Sequence, residues 1–172
     1  MSNRGSPLVI RYRCLRKHDV KQVQSVALRS WSFTYRKIFS TKIIKQHVST
    51  YYSAQSFEQG VFPRLRKGED WFYVVLEDER LFGFSHITHT KTGWELLRIY
   101  LLPEHKGKGI GKKLLQLGER FLRRKRAREY CVFAYRKNRP AVEFYIRNGF
   151  TRAPGRDAGE EVCLEKKLRY RS

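Results

Sequence analysis

Apolar and polar residues alternate from Leu8 to Cys14, with Leu8, Ile10 and Tyr12 on one face and Arg11 and Arg13 on the other. That is the period of a half-buried strand. From Asp19 to Phe39 the period lengthens. Val20, Val23, Val26, Ala27, Trp31 and Tyr35 recur at helical spacing, which predicts an amphipathic helix with a break near Ser32. Thr41 to Tyr52 reads as a second, shorter helix capped by Thr41. Ser53 to Gly68 has no clear period, so either a loop or an irregular helix fits there. Three β-favouring runs follow, from Trp71 to Leu76, Leu81 to Thr88 and Trp94 to Leu102, divided by turns at Glu77 to Glu79 and Lys91 to Gly93. Strands joined this closely form an antiparallel meander.

The helical period then returns with Ile110, Leu114, Leu117 and Phe121, flanked by Leu115 and Leu122, and runs into the basic tract Arg123 to Arg128. Tyr130 to Tyr135 reads as a strand. Pro140 to Asn148 reads as a helix, with Asn138 near its cap, Pro140 in its first turn and Gly149 as its stop. Phe150 to Ala153 and Val162 to Leu168 are the last predicted strands, around a turn-rich Pro154 to Gly159. No repeat or linker divides the chain, so one domain over residues 1–172 is expected, large enough to bury a core without disulfides.

Charge narrows the partners. Lys and Arg number 37 against 16 Asp and Glu, a net charge of +21, and such a surface attracts polyanions: nucleic acid, ribosomes or an anionic cofactor. Cys14, Cys131 and Cys163 are far apart and form no CxxC pair, so they are expected to be free and mostly buried, with no metal. The chain starts without a hydrophobic signal core, and no apolar run approaches the roughly 18 residues that cross a membrane. The expected location is cytoplasmic, with no membrane partner.

The chemistry concentrates between Glu95 and Leu115, in a predicted strand, a glycine turn and a helix. Gly107, Gly109 and Gly111 alternate with Lys108 and Ile110, so successive backbone amides can approach a ligand without Cβ obstruction. The helix that follows offers unpaired N–H groups and the positive end of its dipole, and Lys106, Lys108 and Lys112 add whole charges. This is an anion cradle. A nucleotide-triphosphate loop would need Gly at position 106 and Ser or Thr at position 113, where Lys106 and Lys113 stand. A dinucleotide fingerprint would need Gly-x-Gly-x-x-Gly after an early strand. Both are disfavoured.

The segment Lys106-Gly107-Lys108-Gly109-Ile110-Gly111, preceded by Pro103-Glu104 and followed by a Leu-rich helix, resembles the pyrophosphate loop of the GNAT superfamily of N-acetyltransferases. Its pattern there is Arg/Gln-x-x-Gly-x-Gly/Ala, so Lys106 is a departure. The stretch Asn138-Arg-Pro-Ala-Val-Glu-Phe-Tyr145-Ile-Arg-Asn-Gly149-Phe150 matches the second signature of the family, in the right order and at the right distance. The resemblance implies an α+β, three-layer fold: a mixed, mostly antiparallel sheet of six or seven strands flanked by about four helices. It also implies acetyl-CoA as co-substrate and direct attack of a primary amine on the thioester, through a tetrahedral oxyanion. A backbone N–H on Ile99, Tyr100 or Leu101 would stabilise that oxyanion, Tyr145 would protonate the leaving thiolate, and Asn138 would bond the pantetheine. Lys106 to Lys112 would hold the pyrophosphate.

Where many relatives carry a base, five residues before the motif Asn, this chain has Phe133. Glu95, acting through a water, is the alternative, ahead of His86, His89 and His105. Acceptor recognition in the family falls mainly to the first helices, which here offer Trp31, Phe33, Tyr35 and Tyr52. The acceptor stays open between a protein lysine or N-terminus and a polyamine; a +21 chain would repel a polyamine unless Glu69, Asp70, Glu95 and Glu104 made a local acidic mouth. The competing reading is a nucleic-acid- or ribosome-associated binding protein on the same fold, carried by the basic tract. A homodimer also stays open.

Overall fold

The computed structural model describes residues 9–170; Leu8, the start of the first predicted strand, lies outside them. Seven strands form one sheet in the order β1-β2-β3-β4-β5-β7-β6. The strands are β1 (Ile10–Cys14), β2 (Asp70–Glu77), β3 (Arg80–Thr90), β4 (Gly93–Leu101), β5 (Glu129–Tyr135), β6 (Thr151–Arg152) and β7 (Glu161–Lys167). All neighbours are antiparallel except β4 and β5, which are parallel. The helices are α1 (Val20–Tyr35), α2 (Thr41–Tyr51), the short α3 (Ala54–Ser56) and α4 (Phe62–Lys67), then α5 (Ile110–Arg124) and α6 (Arg139–Arg147).

The helices lie on both faces of the sheet. Tyr52, just after α2, packs on Phe84, and Phe57 on Phe72, which sets the N-terminal helices on one face. Gly118 of α5 faces Ile87 and Trp71 on the other face so closely that an added Cβ would sit 2.5 Å from Ile87. Phe150, beyond α6, meets Tyr130 and Tyr145 edge to face on that same side. The result is the mixed, mostly antiparallel three-layer arrangement expected from the motifs.

Several local expectations are corrected. Helix α1 runs through Ser32 without a break, because Val23, Val26, Ala27 and Ser30 form an unbroken buried stripe. Ser40, rather than Thr41, caps α2 by accepting from the Ile43 N–H. The stretch 53–68 is an irregular helix, with a π-helical turn over Phe57–Val61 between α3 and α4. Pro63 lies in the first turn of α4; it lacks an N–H and its ring crowds the carbonyl four residues back, which a wider turn relieves. Cys14 is exposed, since it ends an edge strand, while Cys131 and Cys163 are buried.

Two irregularities shape the centre of the sheet. The β3–β4 register shifts between His86, opposite Arg98, and Ile87, opposite Leu96, so Leu97 is an extra residue and bends β4. Parallel β4 and β5 share one registered pair, Glu95 with Cys131. Beyond it the two strands part, and a cleft opens between their C-terminal ends.

Candidate active site

The cleft has a volume of about 420 Å³. Its floor is Ile99, Tyr100 and Leu101 of β4. Leu102 N–H donates to Phe82 O at 2.8 Å, and Leu101 is registered with Gly83. In an antiparallel ladder that phase turns the N–H and C=O of Tyr100 toward β3 and those of Ile99 and Leu101 the other way, into the gap left by β5. Ser30 of α1 donates its Oγ to Leu101 O at 3.2 Å. The carbonyl is thereby satisfied, and the N–H groups of Ile99 and Leu101 remain aimed at the cleft.

One end of the cleft is the glycine turn. Gly107 and Gly109 have φ of +78° and +77°, and a Cβ on either would meet nothing within 4 Å. Both glycines border open space. Gly109 caps α5, and the first N–H to close a helical bond is that of Lys113, onto Gly109 O at 3.0 Å. The amides of Ile110, Gly111 and Lys112 are left as donors at a helix N-terminus. Lys106 is exposed, although partial desolvation beside the cleft lowers its pKa, and its ammonium lies 5.0 Å from the Phe33 ring. An open cradle of unpaired amides and lysines beside a splayed strand suits the pyrophosphate and pantetheine of coenzyme A.

The opposite wall is α6. Asn138 accepts from Ala141 N–H at its cap and donates Nδ2 to Tyr35 Oη at 3.4 Å. Tyr145 lines the cleft at 6% exposure, and burial, then the neighbouring Tyr35, pushes its hydroxyl well above the ordinary tyrosine range. Phe144 closes the wall against Gly111, where a Cβ would come within 3.1 Å.

Most residues singled out in the sequence meet here: Ile99, Tyr100 and Leu101; Lys106, Gly107 and Gly109; Gly111, Lys112, Asn138 and Tyr145. Lys108 is exposed on the loop and the Ile110 side chain is buried in the core, so neither side chain lines the cleft. Glu95 stands at the far end of β4, four residues before Ile99, a distance of about 13 Å along an extended strand. It is half-buried, and burial, then the charge of Glu161, raises its carboxyl pKa against the opposing pull of Arg156. Ser30, Thr34 and Tyr35 also line the cleft. Ser30 and Thr34 stand four residues apart on one face of α1, a spacing that the sequence displays.

Other expected groups are engaged elsewhere. His86 Nε2 bonds Asp70 Oδ2 at 2.7 Å, His89 packs on Trp94, and His105 stacks on Phe82. Tyr52 is buried with the Arg98 guanidinium 4.5 Å from its ring centre, so it belongs to the core rather than the cleft surface. The four carboxylates expected to form an acidic mouth do not come together: Glu69 and Asp70 pair with Arg64, Glu104 with Arg29, and Glu95 lies on another strand. The exposed cations Arg124, Lys125, Arg126 and Arg128 lie at or beyond the C-terminus of α5, about 22 Å of helix from the glycine turn.

Known proteins share this architecture. A family model described as acetyltransferase (GNAT) domain matches residues 68–152. The spermidine N(1)-acetyltransferase of Thermoplasma acidophilum is 31% identical over 158 residues, spanning 92% of this chain and 97% of that protein. The crystal structure of PaiA N-acetyltransferase from Thermoplasma acidophilum in complex with coenzyme A matches with a TM-score of 0.87 and 30% identity, over 93% of this chain and 99% of that one. A mycothiol acetyltransferase of Geodermatophilus obscurus is 34% identical over 102 residues, 52% of this chain but 33% of that protein. With the glycine cradle, the splayed strands and a relative matched along nearly its whole length, the chain belongs to the GNAT family of acetyltransferases and is an acetyl-CoA-dependent N-acetyltransferase.

Proposed function

We propose that the chain acetylates a primary amine of a linear polyamine of the spermidine class. The observation that carries this reading is the end-to-end likeness to a spermidine N(1)-acetyltransferase, which extends through α1, whose Ser30, Thr34 and Tyr35 wall the cleft. In this reading the amides of Gly107 to Lys112 hold the pyrophosphate of acetyl-CoA, and Asn138 meets the pantetheine. One of the two cleft-facing N–H groups, that of Ile99 or that of Leu101, receives the carbonyl oxygen as negative charge develops on it.

The acceptor nitrogen bonds to the thioester carbon, and the proton it sheds travels through water to Glu95. Burial and Glu161 raise that carboxyl toward the range where it can accept and release protons. The carbon–sulfur bond breaks, and the thiolate takes the Tyr145 proton, which solvent replaces. A phenol held well above its ordinary pKa stays protonated at working pH and is therefore competent as a donor.

The test is a turnover assay with acetyl-CoA against spermidine, a simple monoamine and a lysine peptide. Saturable turnover of spermidine, with the acetyl group on a primary nitrogen, is the expected result. Turnover of the peptide with none of spermidine would overturn the polyamine reading and leave the N-acetyltransferase assignment standing.

A further inference from the structure

Past Tyr35, on the face of the sheet that carries α1 and α2, three aromatic rings gather. The ring centroid of Tyr35 lies 6.3 Å from that of Tyr135, with the planes at 88°. Phe39 closes the group at 5.5 Å from Tyr135 and 5.9 Å from Tyr35. The sequence places these rings far apart, and the fold joins them: the turn after α1 returns Phe39 N–H to Tyr35 O at 2.8 Å, and β5 brings Tyr135 up beside them. All three are half-buried, so part of each ring remains open to solvent.

Glu161 is registered directly opposite Tyr135 on β7. Of the carboxylates around it, Asp157 is paired with Arg136 and Arg152, and Glu165 with Arg156. Among the described residues Glu161 makes no salt bridge and is exposed. Its charge reaches two groups of the site, adding to the burial that raises both the Tyr35 phenol and the Glu95 carboxyl. Tyr35 lines the cleft, so this aromatic corner is continuous with the place where the acetyl group is transferred.

We propose that Tyr35, Phe39 and Tyr135, rimmed by Glu161, form a subsite for a second ammonium of the acceptor, so that a polyamine is preferred over a monoamine. This rests on the polyamine reading above and assigns the residues that would carry it. A chain of net charge +21 repels a polycation at long range, so recognition has to come from short-range contacts. Aromatic faces attract an ammonium through their quadrupole without adding net charge. An unpaired carboxylate at the rim adds direct attraction and gives the bound chain a direction, with one amine at the thioester and the next held at Glu161. Thus the general surface charge and the acceptor preference are set by different parts of the molecule.

The experiment compares kcat/KM for spermidine and for n-butylamine in the intact protein, its Glu161→Gln, Glu161→Asp and Phe39→Leu variants. Glu161 is exposed and Phe39→Leu keeps an apolar side chain of similar reach, so both are compatible with folding, which the melting temperature checks. The ratio of the two specificity constants is expected to fall about tenfold in Glu161→Gln, through KM for spermidine rather than kcat. Glu161→Asp should recover part of it, and Phe39→Leu should lower it as well. A ratio unchanged in both Glu161→Gln and Phe39→Leu overturns the subsite while leaving polyamine acetylation intact. An equal fall for both amines, leaving the ratio unchanged, also overturns it. If the unmodified protein turns over both amines equally well the subsite falls alone, and if it turns over no spermidine the polyamine reading falls with it.

Discussion

Ser30 Oγ donates to the Leu101 carbonyl at 3.2 Å, joining α1 to β4 beside the gap left by β5. In a continuous sheet that carbonyl would bond to the next strand. Here a helix hydroxyl takes the strand's place, so β4 can end a ladder in the interior without a buried orphan acceptor. Ser30 is 1% exposed. Ser30→Ala is therefore expected to leave the carbonyl unpartnered and cost about 1–3 kcal/mol, measurable by urea denaturation. Because the same strand aims the Ile99 and Leu101 N–H groups, kcat should fall more than coenzyme affinity does. A variant with unaltered stability would show that the carbonyl finds water instead.

Tyr145→Phe tests the proposed acid role separately from binding. The hydroxyl is the only atom removed, and Phe retains the ring contacts with Phe144 and Phe150. Turnover should drop by about 10²–10⁴-fold, the usual contribution of a positioned proton donor. Calorimetric affinity for coenzyme A should stay within a few-fold. Since the hydroxyl titrates far above its ordinary value, the unmodified enzyme should show no alkaline loss of kcat from this group below about pH 10. An alkaline limb near neutrality that vanished in the Phe variant would contradict the direction of that shift.

Gly109→Ala tests the cradle. At φ +77° a side chain strains the backbone by about 1–2 kcal/mol, although the new Cβ would meet nothing within 4 Å in the free protein. Stability should therefore fall by about that amount. Coenzyme affinity should fall further, because the methyl group projects into the open space where the pyrophosphate would lie against the amides of Ile110 and Gly111. A loss of affinity no larger than the loss of stability would place the anion elsewhere.

These positions differ in how far the sequence revealed them. Gly107, Gly109, Asn138 and Tyr145 were legible because each motif is local: a tight turn, a cap and one helix face fix their positions over a few residues. The meander was legible because short turns leave neighbouring strands little choice. Glu161, Phe39 and Tyr135 were not: Tyr35 stood out on the first helix, but the other two rings join it only through the order of the sheet and the packing of α1 across it. The acidic mouth failed for a related reason: Glu69, Asp70 and Glu104 each lie beside an arginine that composition alone could not place. The extra residue Leu97 and the π-helical turn at Phe57–Val61 are likewise invisible to a periodic reading, because each interrupts the period on which that reading depends.

The buried pair of Asp70 and His86 sets a pH limit on the fold. Burial pushes the Asp70 carboxyl up, but hydrogen bonds from His86, Thr88 and Arg64 outweigh it and hold the carboxyl below its ordinary range. Burial lowers the His86 pKa despite Asp70, so the ring is neutral at pH 7, with its Nε2–H directed at Asp70 Oδ2, 2.7 Å away. Both shifts act in the same direction. Below about pH 6.5 the unfolded histidine takes a proton that folded His86 refuses, and below about pH 4 the unfolded aspartate takes one that Asp70 refuses. Stability should thus be fully present above pH 6.5 and decline on acidification, by at most about 1.4 kcal/mol per pH unit for each proton. His47, stacked on Trp31 and lowered by burial and Arg98, shifts the same way and adds to the first phase. Melting temperature measured from pH 8 to pH 4 should therefore fall most steeply below pH 6.5. His86→Gln, which keeps a donor for Asp70 but cannot titrate, should flatten the slope between pH 6.5 and 5 even if its overall stability is lower. An undiminished slope would assign that phase to His47, and His47→Gln would then remove it.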